Sequence, residues 1–76
     1  MEAKEMFKRL GYIETYHDDY EIVYSMYNDN VKVAEIEFDL ETKTFYCTYC
    51  DGIMEVDIEV LKAITQQCRE LGWLDD

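Results

Sequence analysis

Proline is missing from this chain, and glycine occurs only at positions 11, 52 and 72. Flexible linkers are usually rich in these residues or in serine, and Ser25 is the only serine. Of the 76 residues, 49% are hydrophobic and 14% aromatic, a composition that argues against intrinsic disorder. We therefore expect one folded domain over residues 1–76.

Basic residues are scarce: seven Lys and Arg stand against eighteen Asp and Glu, for a formal net charge of −11. Proteins that bind nucleic acid usually present a basic patch, and an anionic membrane repels an acidic protein. We therefore expect no direct contact with nucleic acid or membrane. The charge favours a protein partner with a basic surface.

Long apolar runs are also missing, so the sequence predicts no membrane-spanning helix. The chain begins with a charged stretch in which no apolar segment follows a basic one, and we expect no signal peptide. The chain has an odd number of cysteines, which favours reduced thiols: Cys47, Cys50 and Cys68. Together these features predict a cytoplasmic protein.

The N-terminal segment has the pattern of a short amphipathic helix. Its apolar residues recur at helical spacing: Ala3, Met6, Phe7 and Leu10. Gly11 follows as a C-terminal cap, and we expect Tyr12 to fold back onto Phe7 in a Schellman-type end.

The C-terminal segment also has the pattern of a helix that ends in glycine. Asp57 is the predicted N-cap. We expect the helix to end before Gly72, and Trp73, which follows this glycine, to fold back onto Cys68. The predicted buried stripe has four members: Leu61, Ile64, Cys68 and Leu71.

Between the helices, alternating apolar residues predict strands joined by turns at residues 28–30, 42–43 and 51–52. The first turn pairs Ile22 with Ile36, and the second pairs Phe38 with Cys47. The third adds a further strand and pairs Cys47 with Val56. All three turns place the same side chains on one face, which supports the assignment: Ile22, Tyr24, Ile36, Phe38, Phe45 and Cys47.

A first strand near residues 12–16 is expected to join the sheet through Asp18 and Asp19. The predicted fold is therefore a two-layer α+β domain. It has an N-terminal helix, a four- to five-stranded antiparallel meander and a C-terminal helix, with both helices on the apolar face of the sheet.

The other face of the predicted sheet is the candidate protein-binding surface. It has a row of carboxylates, in which Glu21 is expected opposite Glu37. Beside that row lies an apolar cluster of four residues: Val23, Tyr27, Val31 and Val33. Like charges across a strand pair are destabilising, so one interpretation is a contact surface whose carboxylates stand in for nucleic-acid phosphates towards a basic protein. The candidate residues are Glu21, Val23, Tyr27, Val31, Val33, Glu35, Glu37, Asp39 and Tyr46.

Two other interpretations of this face remain open. It is either a solvated surface with a few tolerated apolar residues, or part of a self-associating scaffold. In the scaffold, the apolar cluster or an open sheet edge contacts a second copy to form a homodimer.

Few residues are candidates for chemistry. The C-x-x-C sequence at Cys47 and Cys50, with Cys68 and His17, could supply four zinc ligands. Residues three apart on a strand point to opposite faces, so we expect no metal and no cofactor, and a small zinc-stabilised module is the alternative. No nucleophile can be tied to His17 by sequence, and we predict no catalytic residues and no enzymatic activity.

The two ends of the chain carry a resemblance. The segments that carry it are Ala3-Lys4-Glu5-Met6-Phe7, Leu10-Gly11-Tyr12, Leu61-Lys62-Ala63-Ile64, Gln67-Cys68 and Glu70-Leu71-Gly72-Trp73-Leu74. They are similar to a set of small hypothetical proteins of Gram-positive (Firmicutes) phages, prophages and integrative mobile elements. The resemblance implies an origin of this kind and no particular activity.

Overall fold

A computed structural model describes residues 1–74 of the chain. The elements are α1 (Ala3–Arg9), β1 (Ile13–His17), β2 (Glu21–Asn28), β3 (Val31–Asp39), β4 (Thr44–Tyr49) and α2 (Ile58–Glu70). The strands form one antiparallel sheet in the order β1-β2-β3-β4. The predicted α+β arrangement is confirmed, with four strands. Neither helix in this part of the chain is long and apolar enough to cross a membrane.

Both helices pack on the same side of the sheet, here called the inner face. The Phe7 ring of α1 stacks on the Tyr24 ring of β2, with centroids 4.1 Å apart. From α2, the Gln67 side chain accepts a hydrogen bond from the Tyr24 hydroxyl. Because one strand residue contacts both helices, they share one face, as predicted. The buried core is Ala3, Phe7, Tyr12, Ile22, Tyr24, Ala34, Ile36, Phe38, Val60, Ala63, Ile64 and Cys68.

Both helices end as the sequence predicts. The Tyr12 N–H donates to the Phe7 carbonyl, and the Trp73 N–H donates to the Cys68 carbonyl, each at 2.9 Å. The glycine before each donor has a positive φ, +96° after α1 and +75° after α2. Glycine adopts this conformation without the steric cost of a Cβ atom, which explains the two Schellman-type ends.

The start of α2 is also confirmed, but its buried stripe differs from the prediction. The Asp57 carboxylate accepts a hydrogen bond from the Val60 N–H at 2.9 Å. Leu61 is 48% exposed, so its place in the stripe was wrong. Val60 and Leu61 lie four and three residues before Ile64, and both spacings fall on one helical face. Packing on the sheet decides between them, and the buried residues are Val60, Ala63, Ile64, Gln67 and Cys68.

The strand register differs from the prediction by two residues in both hairpins. Ile22 lies opposite Phe38 instead of Ile36, and Phe38 lies opposite Phe45 instead of Cys47. In the first hairpin, the turn has two residues, 29 and 30, both with positive φ, instead of the predicted three, and this shifts the register by one residue. A bulge between β2 and β3 adds the second residue of the shift. In the second, the turn is longer, with residues 40–43 between the paired ends.

A shift of two residues keeps every side chain on its predicted face, because side chains alternate with a period of two. Ile36 and Phe38 are accordingly fully buried against the helices, as expected. Phe45 lies opposite Phe38 on the same face, at the margin of the core, and is 43% exposed.

The predicted fifth strand is wrong. After β4, pairing stops at a single bridge between Tyr49 and Gly52, and residues 53–57 contain no strand. Ile53 is 90% exposed, whereas Met54 packs against the core. The reason is the position of the Asp57 N-cap: the chain has to cross from the sheet to the helix layer within these five residues, and it cannot also follow β4.

Candidate protein-binding face of the sheet

The side of the sheet turned away from the helices, here called the outer face, carries the predicted carboxylate row. Glu35, Glu37 and Asp39 alternate along β3, and Glu21 of β2 completes the row. Glu21 lies opposite Asp39, so its predicted place opposite Glu37 was wrong. The two-residue shift of the hairpin moves it one position along the row. The row stays contiguous because Glu37 is now its diagonal neighbour.

Neighbouring side chains hold two carboxylates of this row in position. The Lys32 ammonium is 3.0 Å from a Glu35 oxygen, and the Tyr46 hydroxyl donates to a Glu37 oxygen at 2.8 Å. This hydrogen bond, and then the charge of Glu37, raise the pKa of Tyr46. Lys32 is the only Lys or Arg within the four strands, so the contacts order the row and offset one of its four negative charges.

Asp39 closes the turn between β3 and β4. One of its carboxylate oxygens accepts hydrogen bonds from the backbone N–H groups of Glu41 and Thr42, at 3.0 and 3.1 Å. The bond from Thr42 is the main reason why the pKa of Asp39 is lowered, since it stabilises the charged form. Asp39 is therefore a fixed negative charge at the end of the row.

Glu21 shows the opposite shift. Partial desolvation, followed by the carboxylates of Glu37, Asp18 and Asp39, raises its pKa above the ordinary value of 4.5. The neighbouring negative charges disfavour the ionised form of Glu21. Around Glu21, Glu37 and Asp39 the outer face therefore concentrates like charge, and the ammonium of Lys32 pairs with Glu35 instead.

The apolar cluster predicted beside the row does not form. Val23 is only 6% exposed, because it lies between flanking strands on both sides. A bulge in the pairing of β2 with β3 places Lys32 opposite Tyr27. An extra residue in one strand moves the side chains beyond it to the other face. Val31 therefore leaves the outer face, and Val33, at the bulge, is partly buried against the core.

Sequence reasoning missed a polar pair on this face that has one buried member. Ser25 is 1% exposed, and its hydroxyl lies 2.9 Å from the hydroxyl of Thr15, which is exposed. Thr15 is the extra residue of a second bulge, between Glu14 and Tyr16 in β1. The one sequence signal for this bulge is that the apolar residues of β1 do not alternate cleanly.

The residues of the alternative zinc site lie apart. His17 is on β1 at one edge of the sheet, and Cys47 is on β4 at the other, with two strands between them. Cys50 is exposed, whereas Cys68 belongs to the buried core. Within residues 1–74, no group of three or more His, Cys, Asp or Glu side chains is arranged to hold a metal ion. The arrangement therefore does not favour a zinc module.

His17 pairs with a carboxylate, the arrangement that orients a catalytic base. Its Nδ1 lies 2.9 Å from a Glu14 oxygen. The hydroxyl of Ser25, the only serine, lies against Thr15, and His17 is paired with Glu14. The pair also lies next to Lys4, whose ammonium is 3.3 Å from Glu14, and it fits a surface ion-pair group.

No protein-family model matches this chain, and comparisons with curated proteins and with solved structures find no match either. The resemblance to phage and mobile-element proteins therefore stays a prediction. Function has to be argued from the geometry of the outer face.

Proposed function

We propose that this is a non-catalytic accessory protein that binds a basic surface of a partner protein through the outer face of its sheet. The observation that carries the proposal is the carboxylate row on β2 and β3, on a face that neither helix covers. Negative charge concentrated on one face both attracts a basic partner and orients it.

The order within the row supports a binding role. Glu37 is held by Tyr46, Glu35 by Lys32, and Asp39 by the backbone of its own turn. Side chains that are already fixed lose less conformational entropy when a partner binds. The rigid sheet beneath them keeps their spacing constant.

The length of the row limits what it can imitate. Same-face residues of a strand are ~6.8 Å apart, so Glu35 to Asp39 span about 14 Å. A nucleic-acid strand carries one phosphate per ~3.4 Å of helix axis, so the row resembles a short stretch of phosphates at lower charge density. The partner we propose therefore contributes one compact Lys or Arg cluster, such as part of a nucleic-acid site.

The resemblance at the two helices supports the biological setting. It suggests an accessory inhibitor or modulator from a phage or mobile element, acting on a basic host protein in the cytoplasm. The partner's basic cluster would normally contact nucleic acid, and the row would occupy it instead.

The test is capture of partners from a Gram-positive host lysate at low and high salt. The sheet variant carries Glu35→Gln, Glu37→Gln and Asp39→Asn. We expect the wild type to capture a basic protein at low salt and to lose it at high salt, because exposed charges are screened. The sheet variant should not capture that protein at either salt concentration.

A matched control removes the same number of charges from the helix side of the molecule. It carries Glu2→Gln, Glu5→Gln and Glu59→Gln, and it should capture the partner as the wild type does. Capture of the same proteins by the sheet variant would contradict the proposal. Equal loss in both variants would show that net charge acts without the row, and would contradict it too.

A further inference from the structure

The edge strand β4 has no charged residue, although 33% of the residues in the chain are charged. Its sequence, Thr-Phe-Tyr-Cys-Thr-Tyr over residues 44–49, is rich in aromatic and β-branched residues and pairs with β3 without a bulge. The opposite edge strand, β1, contains Glu14 and His17 and is interrupted by a bulge. Charges and bulges are the usual protection of an edge strand against further pairing. β4 lacks both.

The free side of β4 presents unpaired backbone groups. The Cys50 N–H donates to the Val33 carbonyl, which fixes the alternation of hydrogen bonds along the in-register pair of β3 and β4. The backbone groups of Tyr46 and Thr48 therefore point towards β3, and those of Phe45 and Cys47 point outwards. Within residues 1–74, no backbone group bonds to these outward N–H and C=O groups.

The chain that follows β4 leaves this edge open. Gly52 makes a single bridge to Tyr49. Beyond it, Met54 packs against the core and lines a cleft of about 340 Å³, together with Tyr12, which follows α1, and with residues from β2, β3 and the end of β4. The segment thus passes to the inner face, and residues 44–48 stay uncovered at the edge.

Charge identifies the occupant of this edge. A basic partner is attracted to the outer face and not to an uncharged strand. Two copies of this chain, each with a net charge of −11, repel one another wherever carboxylates meet. Along β4 they do not meet. Two paired β4 strands would hold the carboxylate rows on the β3 strands three strand spacings apart, about 14 Å, beyond the Debye length of ~8 Å at physiological salt.

We infer that two copies of this protein pair along β4 in an antiparallel arrangement that joins their sheets into one. The outward groups of Phe45 in one copy bond with those of Cys47 in the second, and the reverse, around a two-fold axis at Tyr46. This register leaves the bridge between Tyr49 and Gly52 intact. It also gives the exposed side of the Phe45 ring a neighbour.

The dimer is tested with the full chain by sedimentation equilibrium over roughly a hundredfold range of concentration. We expect the mass to rise from 9.1 kDa towards twice that value. Added salt should strengthen the dimer, because it screens the repulsion between two acidic chains. Amide hydrogen exchange gives the position: at high concentration the Phe45 and Cys47 N–H groups become protected, while the Tyr46 and Thr48 N–H groups are protected at every concentration.

Two variants test the edge itself. Cys47→Pro removes an outward N–H that makes no bond to β3, and it should weaken the dimer about tenfold or more. Cys47→Ser, its matched control, should dimerise as the wild type does. Tyr46→Lys places like charges opposite each other at the two-fold axis and should also weaken the dimer. Its control, Gln66→Lys on α2, makes the same change of charge away from the edge and should not.

Four results would overturn the inference. One is a wild type that stays monomeric over the whole range, which would leave the edge to a strand of another protein. The others are a dimer that Tyr46→Lys leaves unchanged, a dimer that salt weakens, and Phe45 and Cys47 amides that stay unprotected in the dimer. Because the proposed partner complex weakens with salt and this dimer strengthens, the failure of one is distinguishable from the failure of the other.

Discussion

The two faces of the sheet are organised by different forces. On the inner face, Phe7, Tyr24 and Phe38 pack ring against ring beneath both helices. On the outer face, which neither helix covers, Glu21, Glu37 and Asp39 bring like charges together. Burial of apolar area stabilises the fold, whereas like charges across strands oppose it. The inner face therefore explains why the chain folds, and the outer face is where a role other than folding has to be sought.

Phe38→Ala should have the largest effect, because it removes a side chain that the inner face buries completely. The Phe38 ring contacts aromatic rings from α1, β2, β4 and the end of α2. We expect the free energy of unfolding to fall by about 3–5 kcal/mol, as for other buried aromatic truncations. Since the free energy of unfolding of a small domain is about 5 kcal/mol or little more, most of the stability would be lost. Urea unfolding followed by circular dichroism measures the change.

The matched control is Tyr46→Ala, on the outer face of the neighbouring strand. Tyr46 is half-exposed and its hydroxyl donates one hydrogen bond, to Glu37, so its truncation should cost about 1 kcal/mol or less. If the two variants unfold at similar urea concentrations, the comparison of the two faces is wrong.

The inner face was largely predictable from the sequence, and the reason is the period of two. Ile22, Tyr24, Ile36 and Phe38 keep their predicted face although both hairpins shift, because each shift has an even number of residues. The helix caps were predictable because they depend on local sequence: Asp57 bonds to a backbone N–H three residues further along the chain.

The outer face was predictable only in part. The carboxylate row follows from the same alternation, but the bulge that brings Lys32 opposite Tyr27 has no signature in a single sequence. The fifth strand failed because tertiary geometry outweighed a local turn signal at residues 51–52. Gln67 was missed because a polar residue becomes a core residue only when a partner such as Tyr24 satisfies it.

The pair of Tyr24 and Gln67 gives an intermediate effect, and it tests whether the inner face depends on apolar packing alone. Tyr24→Phe keeps the ring but leaves the buried Gln67 amide without its hydrogen-bond donor. An unsatisfied buried polar group costs about 1–3 kcal/mol of unfolding free energy. Chemical denaturation of the single variant measures that cost.

The double variant Tyr24→Phe with Gln67→Met completes the cycle. It removes both polar groups at similar volume, and it should recover part of the stability lost in Tyr24→Phe. The single variant Gln67→Met supplies the remaining arm of the cycle. A double variant that loses the sum of the two single effects would show that the two residues are independent, and that the hydrogen bond is not what matters.

The smallest effect is expected on the outer face, from Glu21→Gln. The folded protein raises the pKa of Glu21, chiefly by desolvation and then through Glu37, so the charged form is less favourable in the folded than in the unfolded state. Because the folded pKa is raised, the contribution of Glu21 to the free energy of unfolding is greatest below the unfolded pKa of 4.5. That contribution declines as the pH rises through the folded pKa. Removing the charge should therefore raise the melting temperature at pH 7 and have no such benefit well below pH 4.5. Glu41→Gln, the same change in the β3–β4 turn, is the control. If Glu21→Gln lowers the melting temperature at pH 7, or if Glu41→Gln raises it equally, like charge within the row is not what opposes folding on the outer face.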